Sequence, residues 1–377
     1  MTGYLLISDG TQIKCHRLAK QKDCGRSKAL SKEEPRLAWW MVRWLLLALA
    51  IPGASQLALA EAPRLGPFEL PRSRALTIFQ NETAFDAREA LNGSFSSSQA
   101  CADIPYGLWI EVEGKGDCIR YYPHGLADGE NRKVLVYFGG DVMLRNSKGV
   151  RFITGSYIRQ SPATIAAEMA EWSKKAGHPV IFLARPGIYG SSGDHNNRRH
   201  RRELSLMSQA LDRIKQKHDV SSFILTGHSA GGQIVAGLLN QRTDVSAAVI
   251  TSGLVSVKQV SKFWERRRRL PGKLLYNAAA FYDPVDEISN VSTADRPDIY
   301  VLSDPEDRVV PFFSQLFYVR RLRTAGFEPH HIYAHATDPQ RHILAYHGRL
   351  AAALISKGQS TAEVRRAVHE MDLEQFK

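Results

Sequence analysis

This chain has little that would tie it to a metal, a nucleic acid or a bilayer. Only four cysteines occur in 377 residues, at 15, 24, 101 and 118. None has the C-x-x-C spacing of a zinc or redox site, so no metal is expected. The Gly-rich turn at residues 185–193 lacks both the Lys of a phosphate loop and the spacing of a dinucleotide fingerprint, so no cofactor is expected. The chain is basic, with formal net charge +12, and its positive runs fall at residues 198–202 and 266–269. No aromatic-interleaved RNA-binding pattern or DNA-binding motif accompanies them. They read as solvated faces, and no nucleic acid is expected. The apolar run at residues 44–51 is too short to span a bilayer. No internal repeat appears.

The N-terminus instead carries an export pattern. Arg43 supplies the positive charge, residues 44–51 the apolar core, and Ala58-Leu-Ala60 a small-x-small cleavage site. The expectation is translation from Met41, cleavage after Ala60, and a periplasmic or secreted product with no stable membrane span. Residues 1–60 hold nine Lys/Arg and four Asp/Glu, leaving 41 basic and 34 acidic residues in the remainder. Cleavage also leaves two cysteines. An even count in an oxidising compartment predicts a Cys101–Cys118 disulfide.

With 44% hydrophobic and 23% charged residues, the rest reads as one ordinary globular domain at 105–377. Residues 61–104, rich in Pro, Ser and Asn, read as an irregular segment wrapping its surface. Two strands flank Gly114-Lys-Gly116 within 107–122. Further strands are expected at 133–138, 179–184, 223–226, 246–252, 298–303 and 330–336. Helical spacing covers 162–176, 202–218, 232–240, 311–325 and 344–357. Such alternation gives an α/β fold, a mostly parallel sheet with helices on both faces. Ligands in such folds gather outside the carboxyl ends of the strands.

One stretch carries the chemistry. The apolar strand ending at Thr226 turns through Gly227-His-Ser229-Ala-Gly231 into a helix. A bare G-x-S-x-G match arises by chance in about one chain of this length in ten. Between a strand and a helix it is the setting of a nucleophile elbow, with Ser229 exposed and the Ala230 N–H facing a developing oxyanion. A serine hydroxyl needs a base within reach, and that base needs an orienting acid. Asp304, Glu306 and Asp307 all lie in the turn after the strand at 298–303. His342 opens the last helix, with His335 and His347 as alternatives among 13 histidines. A second oxyanion donor would come from Gly140 or Asp141, after the strand at 133–138.

The order Ser, Asp, His and the Gly-His-Ser-Ala-Gly-Gly elbow resemble the α/β-hydrolase superfamily over about residues 105–360. The turn Arg185-Pro-Gly-Ile-Tyr-Gly-Ser-Ser-Gly193 is similar to that superfamily's Arg-Pro-Gly-x-Gly-x-Ser turn. Asp307-Arg-Val-Val-Pro311 is similar to its acid turn, and that likeness selects Asp307. The resemblance implies an eight-stranded, mostly parallel sheet and a metal-free Ser–His–Asp hydrolase: Ser229, His342 and Asp307. Two departures stand out. Phe138-Gly-Gly replaces His-Gly-Gly at the oxyanion segment, and the short, basic segment between Leu254 and Arg296 leaves no room for a large lid. The implied activity is an exported serine hydrolase acting on an ester-type acyl bond of a small-molecule or peptide substrate. A prolyl-oligopeptidase-like peptidase, acyl transfer and a non-catalytic binding protein are the alternatives, and the oligomeric state stays open.

Overall fold

The computed structural model describes residues 62–127, 129, 131–268 and 277–374, and the export pattern at 41–60 lies outside them. The described chain is organised on eight strands. These are β1 (Gly107–Val112), β2 (Lys115–His124), β3 (Asn131–Phe138), β4 (Val180–Leu183), β5 (Val220–His228), β6 (Val245–Thr251), β7 (Asp298–Ser303) and β8 (His330–Tyr333). Their spatial order is β8-β7-β6-β5-β3-β4-β2-β1. Only β2 opposes its neighbours, running antiparallel to β1 and β4, while the remaining pairs are parallel.

The central strands are near-continuous apolar runs because both faces of the sheet are covered. Alternate residues then supply two cores. Val134, Val136, Phe138, Phe223, Leu225 and Ile250 join one, and Leu135, Ile224, Val249 and Leu302 join the other. On the first face lie α2 (Arg201–Lys217), α3 (Ala230–Leu239) and α5 (Phe312–Thr324). On the second lie α1 (Pro162–Ala176), α6 (Ala345–Ser356) and α7 (Thr361–Glu374). α1 begins where its sequence says it should. Ser161 and Thr164 form a capping box, Pro162 opens the first turn, and Gly177 closes the helix at φ +67. Its Ile165, Met169 and Trp172 are buried, each burial contributing about 1.5–3 kcal/mol.

One expectation is corrected, and two helices appear that the spacing did not predict. Residues 61–104 are not merely an irregular wrap. They form short helices at Ala87–Asn92 and Ser98–Ala102, and bury Phe79, Phe85 and Leu91 in the second core. Helices of five or six residues are too short for a periodic signal. Helix α4 (Val257–Arg268) was hidden by its charge, yet Val257, Val260 and Trp264 are buried. Helix α7 likewise docks through Val364 and Val368, two positions among charged neighbours. The Cys101 and Cys118 sulfurs are bonded at 2.00 Å, linking the helix Ser98–Ala102 to β2.

Candidate active site

The turn between β5 and α3 sits at the carboxyl end of the sheet. Ser229 has φ 55 and ψ −117, a conformation that L-residues rarely adopt. Two neighbouring glycines make it possible. A Cβ on Gly227 would lie 2.3 Å from the Gly231 carbonyl oxygen, and one on Gly231 would lie 2.0 Å from that of Phe138. The strained residue is held from both sides: its N–H donates to the Thr251 carbonyl at 2.9 Å, and its carbonyl accepts from Leu254 N–H at 2.9 Å.

The acid and base turns follow β7 and β8. Asp307 Oδ1 accepts from the Val309 and Val310 N–H groups, both at 2.8 Å. Its Oδ2 lies 2.9 Å from His342 Nδ1. With a carboxylate at Nδ1, the neutral ring carries its proton there and leaves Nε2 as the basic nitrogen. The other candidates are occupied. Asp304 is fully buried and accepts from Arg341 at 2.7 and 3.2 Å and from Ala336 N–H at 2.9 Å. Glu306 is exposed, with its carboxylate 3.7 Å from Arg341. His335 Nδ1 meets Arg341 at 2.6 Å, and His347 Nε2 meets Asp372 at 2.8 Å. Of the three histidines, His342 alone shares a cavity with Ser229. That cavity has a volume of about 620 Å³ and also contains His228, Gly140 and Asp141. The Ser229 hydroxyl makes no hydrogen bond to His342 in this structure. The His228 ring lies beside that of His342, their centroids 4.9 Å apart, and its Nδ1 is 3.2 Å from Thr251 Oγ1. Burial first, and His342 second, hold the His228 imidazole well below its usual pKa.

Two groups shaping this site escaped the sequence reading. Asp338 accepts from the N–H groups of Gln340, His342 and Ile343 at 3.0, 2.8 and 2.7 Å, and so fixes the turn carrying the base. An Asp-Pro pair at a loop start is a turn signal that could have revealed it. The other group is a set of arginines. The run at 198–202 is not a solvated face: Arg198 is 9% exposed and Arg199 7%, although Arg201 does face solvent. Both converge with Arg185 on the Asp141 carboxylate, which repays their burial. The second run does fit a solvated face, with Arg266 and Arg267 exposed on α4 and Arg269 outside the described residues. Tyr137, Met143, Phe152, Met169, Tyr346 and Arg349 also line the cavity. Trp264 borders it too, and its indole N–H donates to the Val309 carbonyl at 2.9 Å beside the acid.

An eight-stranded sheet with one reversed strand, a strained serine at its carboxyl end, and an acid and a histidine following the last two strands together decide the architecture. This arrangement is α/β-hydrolase-like. It is similar to that of several solved structures. Est1E from Butyrivibrio proteoclasticus matches with 12% identity and TM-score 0.47, over 68% of this chain and 99% of its own. The uncomplexed Pyrococcus horikoshii acylaminoacyl peptidase matches with 14% identity and TM-score 0.44, over 67% and 40%. A puromycin-hydrolysing peptidase of Mycobacterium tuberculosis matches with 14% identity and TM-score 0.46, over 67% and 40%. The match takes in about two fifths of the length of the acylaminoacyl peptidases. No protein-family model matches the chain, and no curated protein matches it in sequence.

Proposed function

We propose that this protein is an exported serine hydrolase that cleaves an ester-type acyl bond through an acyl-enzyme. The observation that carries the reading is the His342–Asp307 pair, at 2.9 Å, opening into the same cavity as the strained Ser229. In this mechanism the Ser229 oxygen attacks the substrate carbonyl while His342 Nε2 takes its proton. Asp307 holds the ring in the required tautomer and stabilises the imidazolium. The backbone N–H of Ala230, with that of Gly140 or Asp141, receives the oxyanion. His342 returns the proton to the leaving group. Water, activated by the same base, then releases the acyl group. The Ser–His hydrogen bond often closes only in the substrate complex, so its absence here is compatible with this role.

Support for export comes from the Cys101–Cys118 disulfide, since such bonds persist in oxidising compartments. The decisive experiment is fluorophosphonate labelling of purified wild type and Ser229→Ala. Wild type should label and the folded variant should not. Equal labelling of the two, or an unlabelled wild type, sinks the reading. An aryl-ester panel set against aminoacyl amides then separates esterase from peptidase.

A further inference from the structure

The segment facing the nucleophile is held by an unusual amount of buried charge. Gly140 lies directly over Ser229: a Cβ there would sit 3.3 Å from the serine Cβ. The next residue, Asp141, holds its carboxylate in a ring of cations. Arg185 Nη1 donates to Oδ1 at 3.0 Å, Arg198 Nε donates to Oδ2 at 3.0 Å, and Arg199 Nη2 donates to the same Oδ2. His195 Nε2 stands 3.7 Å from Oδ1. Arg185, 1% exposed, also reaches the Gly139 carbonyl at 3.4 Å and the Glu203 carboxylate at 2.8 Å. Burial alone would raise the Asp141 pKa. Arg199, Arg198 and Arg185 reverse this and hold it well below the usual carboxylate range. Burial, then Arg185 and Arg198, keep the His195 ring well below its own usual value.

The arginines come from separate parts of the chain. Arg185 follows β4, while Arg198 and Arg199 precede α2 and rest on the His195 carbonyl and the Glu203 carboxylate. The single carboxylate that gathers them belongs to the loop after β3. A fold needing only stability would do as well with apolar packing here, because burying several charges costs more than it returns unless geometry demands them. What the charges do supply is direction. The Gly139 carbonyl that Arg185 reaches belongs to the peptide group carrying the Gly140 N–H, and the Asp141 side chain, held at both oxygens, restrains the backbone that follows.

We propose that Asp141, locked by Arg185, Arg198 and Arg199, is the positioning residue of the oxyanion site, setting the backbone N–H groups of Gly140 and Asp141 against the carbonyl held at Ser229. The proposal rests on the hydrolase reading above. It goes further by giving the Asp141 side chain a task separate from its own N–H. It also explains how Phe138-Gly-Gly serves without a leading histidine: the restraint comes from the side of Asp141 instead.

The test compares ground-state and transition-state binding in wild type, Asp141→Asn and Arg198→Gln. Wild-type labelling by a fluorophosphonate, lost in Ser229→Ala, first establishes the hydrolase. An aryl trifluoromethyl ketone then reports the oxyanion site. The Ser229 oxygen bonds to its carbonyl carbon, the proton passes to His342, and the former carbonyl oxygen becomes the anion to be stabilised. Misplaced donors cost roughly 10²-fold in such a site. Asp141→Asn should therefore lower kcat and weaken ketone inhibition by the same factor, with KM for a neutral aryl ester changed less than about threefold. Arg198→Gln should show the same paired loss, smaller in size. It serves alone if Asp141→Asn does not fold. A folded variant with unchanged ketone affinity, or with a loss confined to KM or to melting temperature, overturns the proposal and leaves the hydrolase intact. An unlabelled wild type overturns both.

Discussion

The Asp304 carboxylate grips the Arg341 guanidinium through two nitrogens, at 2.7 and 3.2 Å, and so ties the turn bearing Asp307 to the turn bearing His342. Arg341 also sits in the left-handed region at φ 54, immediately before the histidine. The ion pair sets how the imidazole meets its acid without touching either one.

Removing this tie should disturb catalysis more than folding. Arg341→Ala leaves Asp304 with its backbone donors, at a stability cost of about 1–3 kcal/mol. The expected result is a drop in kcat of at least about tenfold, as misplaced groups commonly cost. Steady-state kinetics beside thermal melting would check it. A drop in melting temperature with kcat intact would show the pair to be purely structural.

Asp307→Asn should be far more damaging. The amide keeps the shape but favours the wrong imidazole tautomer. A loss of roughly 10³–10⁴-fold in kcat is expected, with KM little changed. The same substitution at Asp304 should not reproduce this pattern of tautomer loss. A pH–rate profile for both variants would separate a misplaced base from a disabled one.

The elbow tolerates no side chain at Gly231. Its Cβ would meet the Phe138 carbonyl oxygen at 2.0 Å, a backbone atom that cannot step aside. Gly231→Ala should cost roughly 4 kcal/mol or more, or prevent accumulation of folded protein. Urea unfolding gives the number, and a loss below about 1 kcal/mol would contradict the packing described.

Acid should weaken the fold through His331. Its ring stacks on Phe312 at 5.7 Å, and Nε2 lies 3.1 Å from Ser303 Oγ. Burial, helped by Arg323 and Arg365, lowers its pKa from 6.5 to about 4. Between those values the unfolded chain binds a proton that the folded chain does not. Stability from this group is therefore complete above pH 6.5 and lost progressively down to about 4. His331→Gln should flatten that part of a stability–pH curve. An unchanged slope would remove His331 from the account.

Reducing the Cys101–Cys118 bond should lower stability by about 3 kcal/mol in the chain-entropy model, for a sequence separation of 17 residues. Thermal melts with and without dithiothreitol, with Cys101→Ser as control, measure it.

The fold was legible where one residue type dominates a run. Continuous Val, Ile and Leu gave β3 to β7, and the capped stripe of α1 gave its limits of Pro162 and Ala176. Regions where apolar residues are sparse were not legible. α4 and α7 show three and two buried apolar positions respectively among Lys, Arg and Glu, a pattern that resembles a solvated segment until a partner surface is known. In the site, Ser229, His342, Gly140 and Asp141 line one cavity, and Asp307 adjoins it through His342 Nδ1 at 2.9 Å. The choice of Asp307 over Asp304 needed the resemblance, because the two lie four residues and one residue beyond the same strand. Burial of Arg198 and Arg199 could not be read at all. Charge predicts exposure unless the compensating carboxylates are known, and Asp141 lies 57 residues before Arg198.

Trp264, described above as the cavity-lining anchor of Val309, has an optical consequence. Three tryptophans fall within the described residues. Trp109 pairs with Glu111 and the Trp172 indole donates to the Arg349 carbonyl, so among the described tryptophans it is Trp264 that borders the cavity. Occupancy of the pocket should therefore change the polarity around this indole, giving an intrinsic emission signal for ligand titration in a protein that carries no added label.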